Sequence, residues 1–447
     1  MSAVEAPADA GIEAAARIGA RLCGTAVWDR DRRHCNWMGR TDGDEGPPQP
    51  GARPTAAALA PHLYGGSSGV ALFLAELYGA TGDPRARETA VGALRRSARH
   101  LRRTKVPASP LSFFSAHLGV AYVAARILEL DPEAGLDREL EETAAAALRA
   151  VGEPHPLDLL NGAAGAIPVF LHLARRGVRG CAEATVRLAD ELCAAAMRSG
   201  GACAWDAVAM GGLPSPPLTG LSHGASGVAV GLLEAYHETG TPAYLETACG
   251  ALAYEDTCFA PARGNWLDMR RPHTLTPPDG VCQAAWCHGA PGIGLARLRA
   301  RALDPERADV HAAAARVALA ATLRALENSL ATTGHDATLC HGTAGLSEVV
   351  LCHAQALGDE QLHATALSAA AELERRHGKL GDWPAAVAGG GPVPGLMVGE
   401  AGIGHHFLRV HDPAGVPPIL LLASSGSSSG AGSPTPVIAP PSRQRAG

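Results

Sequence analysis

Two kinds of hydrophobic pattern alternate along this chain. Stretches such as "GVALFLAELY" from Gly69 are apolar nearly all round, as a helix covered on every side must be. The residues after Asp83 instead place Val91, Leu94, Ala98 and Leu101 at steps of 3, 4 and 3, one face of an amphipathic helix. After Asp304, Val310, Ala314, Val317 and Ala321 predict a second such face. Start signals separate the two kinds at Asp83-Pro84, Asp131-Pro132, Thr241-Pro242, Asp304-Pro305, Asp359 and Asp412-Pro413. A short oxygen-bearing side chain caps free amides there, and proline at the first helical position loses no hydrogen bond.

A glycine phrase precedes each apolar stretch. It reads "LYGGSSGVAL" from Leu63, "FFSAHLGVAY" from Phe113, "LLNGAAGAIP" from Leu159, "LSHGASGVAV" from Leu221, "WCHGAPGIGL" from Trp286, "LCHGTAGLSE" from Leu339 and "LMVGEAGIGH" from Leu396. The central positions Gly66, Ala116, Gly162, Gly224, Gly289, Gly342 and Gly399 are 50, 46, 62, 65, 53 and 57 residues apart, room for two helices per repeat. The pattern therefore predicts an all-α fold of seven helix pairs. Closed into a ring, they make a 7/7 double helical barrel, an α/α toroid with the buried helices inside and every glycine phrase at one end. We expect this domain over residues 1–423 and a disordered Ser/Gly/Pro-rich tail over 424–447. Insertions from Gly211 ("GGLPSPPLTG") and Asp268 ("DMRRPHTLTPPDG") would rim the phrase end.

Composition removes several function classes. A net charge of -6 gives no basic footprint for nucleic acid, and Arg95 to Arg103 reads as a solvated helix face. No apolar run has membrane-spanning length, and the acidic N-terminus lacks the basic and apolar regions of a signal peptide. Eleven cysteines, an odd number scattered through helical stretches, argue against a disulfide framework and for a reducing cytoplasm.

Glycines at helix starts need signify only tight turns. His117, His405 and His406 accordingly read as helix-terminal or rim histidines. Four phrases carry more: Asp158, His223, Cys287 with His288, and Cys340 with His341. Zinc favours thiolate and imidazole, and a catalytic zinc commonly keeps three protein ligands and one open position, a count that Cys287, Cys340 and His341 would supply. The competing reading of each pair is a buried cysteine beside an unrelated histidine.

From about residue 12 to 423 the chain resembles the lanthionine synthetase C-like family. The resemblance rests on "CNWMGR" from Cys35, "DLLNGAAG" from Asp158, "GLSHGASG" from Gly220, "GNWLDMR" from Gly264, "WCHGAPGIGLAR", "LCHGTAG" and "PGLMVGEAGIGHHFLRVHDPAGVPPILLL". It implies an α/α toroid with zinc on Cys287, Cys340 and His341. The implied reaction is the addition of a peptide cysteine thiol to dehydroalanine or dehydrobutyrine, giving a (methyl)lanthionine thioether. His223 matches the proposed proton donor and Asp158 its acidic partner, and imidazole titrates where such a donor is useful. His288 would lie beside the reacting groups. One branch of the family has an arginine four residues before the first zinc cysteine; here that place holds Gln283. Arg270 and Arg297 are the candidate replacements.

The resemblance implies a stand-alone cyclase acting on a dehydrated precursor peptide, with a separate dehydratase, because the toroid begins near the N-terminus. The alternatives are an enzyme that adds a small thiol such as glutathione to an electrophile, and a non-catalytic, zinc-stabilised peptide scaffold. A toroid of the protein prenyltransferase type also activates a thiol on zinc, but the paired Cys-His-Gly phrases fit it poorly.

Overall fold

The computed structural model describes residues 10–40, 56–106, 108–206, 216–270, 280–379, 381–385 and 393–421. The tail beyond 423, the first half of the Gly211 insertion and most of the Asp268 insertion lie outside the described residues. In chain order the helices are α1 (Ala10–Thr25), α2 (Ser67–Thr81), α3 (Pro84–Arg103), α4 (His117–Leu130), α5 (Asp137–Ala150), α6 (Ala163–Arg175), α7 (Cys181–Ala194), α8 (Ala225–Thr239), α9 (Pro242–Thr257), α10 (Ala290–Leu303), α11 (Ala308–Ala331), α12 (Thr343–Leu357), α13 (Glu360–Leu373) and α14 (Glu400–His411). Even-numbered helices form the inner layer. Each packs on the next, and α14 packs on α2, so the ring is closed as the repeat predicted.

Backbone hydrogen bonds run around one end of this ring. Tyr64 N donates to Phe114 O, Leu160 N to Ser222 O, Ser222 N to Cys287 O, Trp286 N to Cys340 O, Cys340 N to Met397 O and Met397 N to Tyr64 O. The remaining step is made by a side chain, Ser112 Oγ to Leu160 O at 3.0 Å. The glycine three residues after each central position lies against this seam. A Cβ at Gly69, Gly119, Gly165, Gly227, Gly292, Gly345 or Gly402 would run into the carbonyl of the residue six positions earlier. Close backbone approach, not flexibility, is what the repeated glycine provides.

Toward the other ends of the inner helices, neighbours are joined by side chains. Glu76 of α2 meets Arg126 of α4 at 2.7 Å, Glu129 of α4 meets His172 of α6 at 3.1 Å, and Arg175 meets Glu238 of α8 at 2.5 Å. Glu234 of α8 pairs with Arg299 of α10, Nη2 to Oε2 at 3.0 Å, and Glu348 of α12 with Arg409 of α14 at 2.7 Å. His405 and His406 belong here: both are buried in α14, and His406 bonds Glu348 and Ser347, each at 3.0 Å. They are core residues rather than the rim residues their sequence position implied. His117 does open α4.

The start signals divide. Asp83 and Asp359 cap α3 and α13 with their carboxylates, and Pro242 opens α9. Asp131 instead closes α4 and accepts from Arg87 Nε at 2.6 Å, with α5 beginning at Asp137. Asp304 closes α10, and a 3-10 turn over Pro305–Arg307 leads into α11. Asp412 closes α14, and no helix follows it among the described residues. The seventh outer position is taken by α1, which packs against α14. On α3 the predicted face is buried, but on α11 it is displaced: Val310 and Val317 are exposed, while His311, Ala315, Ala318, Leu319 and Thr322 face inward. Alanines allow closer helix packing there than valines would.

The sequence pattern did not predict the short hairpins that extend the outer helices. Strands β1 (Val27–Trp28) and β2 (Cys35–Asn36) follow α1; β3 (Met38–Arg40) pairs with β4 (Ala56–Ala58); β5 (Met197–Ser199) and β6 (Ala202–Ala204) follow α7; and β7 (Phe259–Ala260) and β8 (Asn265–Trp266) follow α9. Two hairpins are built alike. After β2 and β6, Trp37 and Trp205 donate their indole N–H to Leu22 O and Leu192 O in the last turns of α1 and α7.

Candidate active site

Asp158, His223, Cys287, Cys340 and His341 all sit just before inner helices, where unpaired N–H groups favour negative charge. The two thiols lie close enough for a proton on Cys340 to act on the Cys287 sulfur, and Tyr64 Oη donates to Cys340 Sγ at 3.0 Å. Sharing one proton splits the pair. The bond from Cys340 lowers the Cys287 pKa to about 7 against the cost of burial, helped by the positive charges of His341, Arg270 and His223. The same bond, together with burial, pushes Cys340 well up.

The proton-transfer candidates are adjacent. His223 Nδ1 lies 3.0 Å from Asp158 Oδ2, and Asp158 Oδ1 accepts from Asn161 N at 2.6 Å. Asp158 therefore serves both as a turn cap and as the partner that orients the imidazole. The His223 and His288 rings are near-parallel with centroids 6.1 Å apart. His288 is buried, with Nε2 3.5 Å from Ser222 Oγ. Burial, then Arg270 and His223, lower its pKa to about 3 and keep the ring neutral.

The sequence offered no direct sign of three further residues. Tyr64 is brought in by ring closure. Asp336, five residues before His341, contacts its Nδ1 and also accepts from Thr338 N at 2.9 Å. Asp268 pairs with Arg270, Nη2 to Oδ2 at 2.7 Å. Arg270 acts on both thiols, whereas Arg297 is paired with Asp256 at 2.7 Å in the outer layer. Of the two arginines considered for the place of Gln283, Arg270 is the one whose charge acts on the thiols. Gln283 itself contributes its carbonyl, accepting from Asn265 Nδ2 at 2.9 Å beneath Gly289, whose φ of +92° excludes a side chain.

Among the described residues, the trio of metal-ligand side chains whose donor atoms all lie within 4.8 Å of one another is elsewhere: Cys249, Asp304 and His311. Cys287, Cys340 and His341 do not meet that spacing. All eleven cysteines are free thiols. No helix among the described residues is long and apolar enough to cross a membrane.

A closed helical double barrel with a thiol pair and a His–Asp pair at its turn end defines the class of protein. The sequence profile of the lanthionine synthetase C-like proteins matches residues 58–421, and the chain belongs to that family. Among solved structures it is similar to a protein described as nisin cyclase, with a TM-score of 0.63 and 17% identity over 81% of this chain and 92% of that one. An unsaturated glucuronyl hydrolase specific for heparin matches more loosely, with a TM-score of 0.44 and 14% identity over 76% of this chain and 87% of the other. No curated protein sequence matches the chain.

Proposed function

We propose that this chain is a zinc-dependent lanthipeptide cyclase that adds peptide cysteine thiols to dehydroalanine or dehydrobutyrine, forming (methyl)lanthionine rings. The observation that carries the reading is the convergence of the Cys287–Cys340 pair and the His223–Asp158 pair on one turn end, with Arg270 beside them. Two thiols at helix N-termini, one buried and the other half-buried and held near neutrality, suit a soft divalent cation. Cys287, Cys340 and His341 would hold it. An Nδ1 contact to a carboxylate such as Asp336 is the usual orienting partner of a metal-binding imidazole.

Zinc held there would lower the pKa of a substrate cysteine and make its thiolate available at neutral pH. Addition forms the C–S bond at the β-carbon and moves the double-bond electrons toward the carbonyl as an enolate. His223, its Nδ1 engaged by Asp158, returns a proton to the α-carbon through Nε2. His288 packs beside His223 and fixes its ring position. Arg270 supplies the cation that Gln283 lacks. The substrate must first be dehydrated at serine or threonine.

Purified protein should carry zinc, and mixing it with a dehydrated, cysteine-containing precursor should protect the cysteines from alkylation at unchanged peptide mass. Cys340→Ala should abolish protection, and His223→Ala should slow it by about 100- to 10,000-fold. Zinc without protection across several precursors would leave a peptide-binding scaffold as the better reading.

A further inference from the structure

Cys249 of α9, Asp304 at the end of α10 and His311 of α11 form a cluster that the reaction does not use. Cys249 Sγ lies 3.4 Å from Asp304 Oδ2, and His311 Nε2 lies 3.1 Å from the same oxygen. Asp304 and His311 are 1% and 3% exposed. Asp304 follows the last residue of α10 while Cys287 precedes its first, so the length of that helix, roughly 20 Å, separates the cluster from the catalytic thiols.

Two further observations point to a ligand. A cavity of about 330 Å³ opens beside the cluster, lined by Cys249, His311, Arg307, Glu246, Asp256 and Arg297 among others. The other nitrogen of His311, Nδ1, is buried and has no hydrogen-bond partner among the described residues, a costly state for an imidazole with no role. A positive group already rests on the acceptors: Arg307 Nη1 lies 3.3 Å from Cys249 Sγ and 3.1 Å from Asp304 Oδ2. Half of the Arg307 side chain is exposed, so it can withdraw to solvent without breaking the core.

We infer that Cys249, Asp304 and His311 are a second metal site, binding one divalent cation of the zinc class with Arg307 as the group it displaces. One thiolate, one imidazole and one carboxylate form a three-ligand set for a borderline-soft ion and leave a fourth position for water or a small donor. Binding releases the Cys249 proton and exchanges the diffuse charge of Arg307 for a coordinated dication. The cation then ties two outer helices to the end of an inner one.

The test is metal content and cobalt(II) spectroscopy on the full chain, comparing wild type with Cys249→Ser, Cys340→Ala, Arg307→Ala and the double variant Cys249→Ser/Cys340→Ala. If both sites load, wild type holds two equivalents, each single cysteine variant one, and the double variant none. If the catalytic site proposed above holds no metal, wild type holds one equivalent that Cys249→Ser removes, so the two proposals fail separately. Cobalt added to Cys340→Ala should still give a thiolate charge-transfer band. Arg307→Ala, which removes the competing cation, should bind at least about tenfold more tightly in a chelator competition. Metal content unchanged by Cys249→Ser, or no tightening in Arg307→Ala, would overturn the assignment; circular dichroism establishes that each variant is folded.

Discussion

The two ends of the inner barrel hold their neighbours together by different means. At the turn end the joints are main-chain hydrogen bonds with glycine pressed beneath them, and one serine hydroxyl completes the circle. At the other end the joints are buried ion pairs such as Glu348–Arg409 and Glu234–Arg299. A joint made by backbone leaves its side chain unassigned: at the turn end Cys287 and Cys340 are such joints, and His223 directly follows another, Ser222. At the far end the side chains are the joint and cannot be spared for chemistry.

The sharpest way to break that contrast is at Arg409, which bonds Glu348, Gln355 and the carbonyls of Pro413 and Val416 at 2.6 to 2.8 Å. Arg409→Met strands a buried carboxylate and should lower stability by about 3 to 5 kcal/mol in urea unfolding, with the alkylation rate of Cys287 unchanged. Gly345→Ala should cost about 3 kcal/mol by forcing a methyl into the Leu339 carbonyl, and unlike Arg409→Met it should also impair cyclisation, because α12 carries Cys340 and His341 at its start.

Acid should loosen the far end next. Burial holds His405 at about 3, below its ordinary 6.5, and Glu348, whose burial is outweighed by Arg409 and His406, sits at about 2 against an ordinary 4.5. Both folded values lie below the unfolded ones, so the unfolded chain takes up protons first. The contribution of His405 is complete above pH 6.5 and lost down to about 3; that of Glu348 is complete above 4.5 and lost down to about 2. Thermal midpoints should fall through these windows, and His405→Phe should flatten the upper one. The smallest effect is expected from Ser112→Ala, which opens the one side-chain joint of the seam at about 1 kcal/mol and leaves cyclisation intact.

The repeat was legible because close backbone contact excludes every residue but glycine, and the contact recurs in each pair. The outer helices were legible only in part. Asp83 and Asp131 look alike in sequence, yet one caps the helix after it and the other closes the helix before it, a choice made by Arg87 from a neighbouring helix. The face of α11 is displaced from the one its valines suggest, because packing between closely spaced helices favours the smaller alanine. Helix α7 starts after Gly180 at a φ of +85°, with no capping side chain to announce it. Two-residue strands have too little length to show a period, so the hairpins left no trace. At the site, Asp158, His223 and the cysteines stood out through their place in the repeat. Asp336 and Asp268 lie outside the phrases, and Tyr64 acquires its role only from the fold.

Tyr64 belongs to the first phrase and Cys340 to the sixth, and Met397 of the seventh donates its N–H to the Tyr64 carbonyl. The thiol pair thus depends on contacts between segments more than 270 residues apart in the chain. Contacts of such separation are the slowest to form. A nascent or partly unravelled chain can display its glycine turns and even pair its two cysteines, but it lacks the phenol that holds Cys340. The site is therefore complete only when the circle is shut.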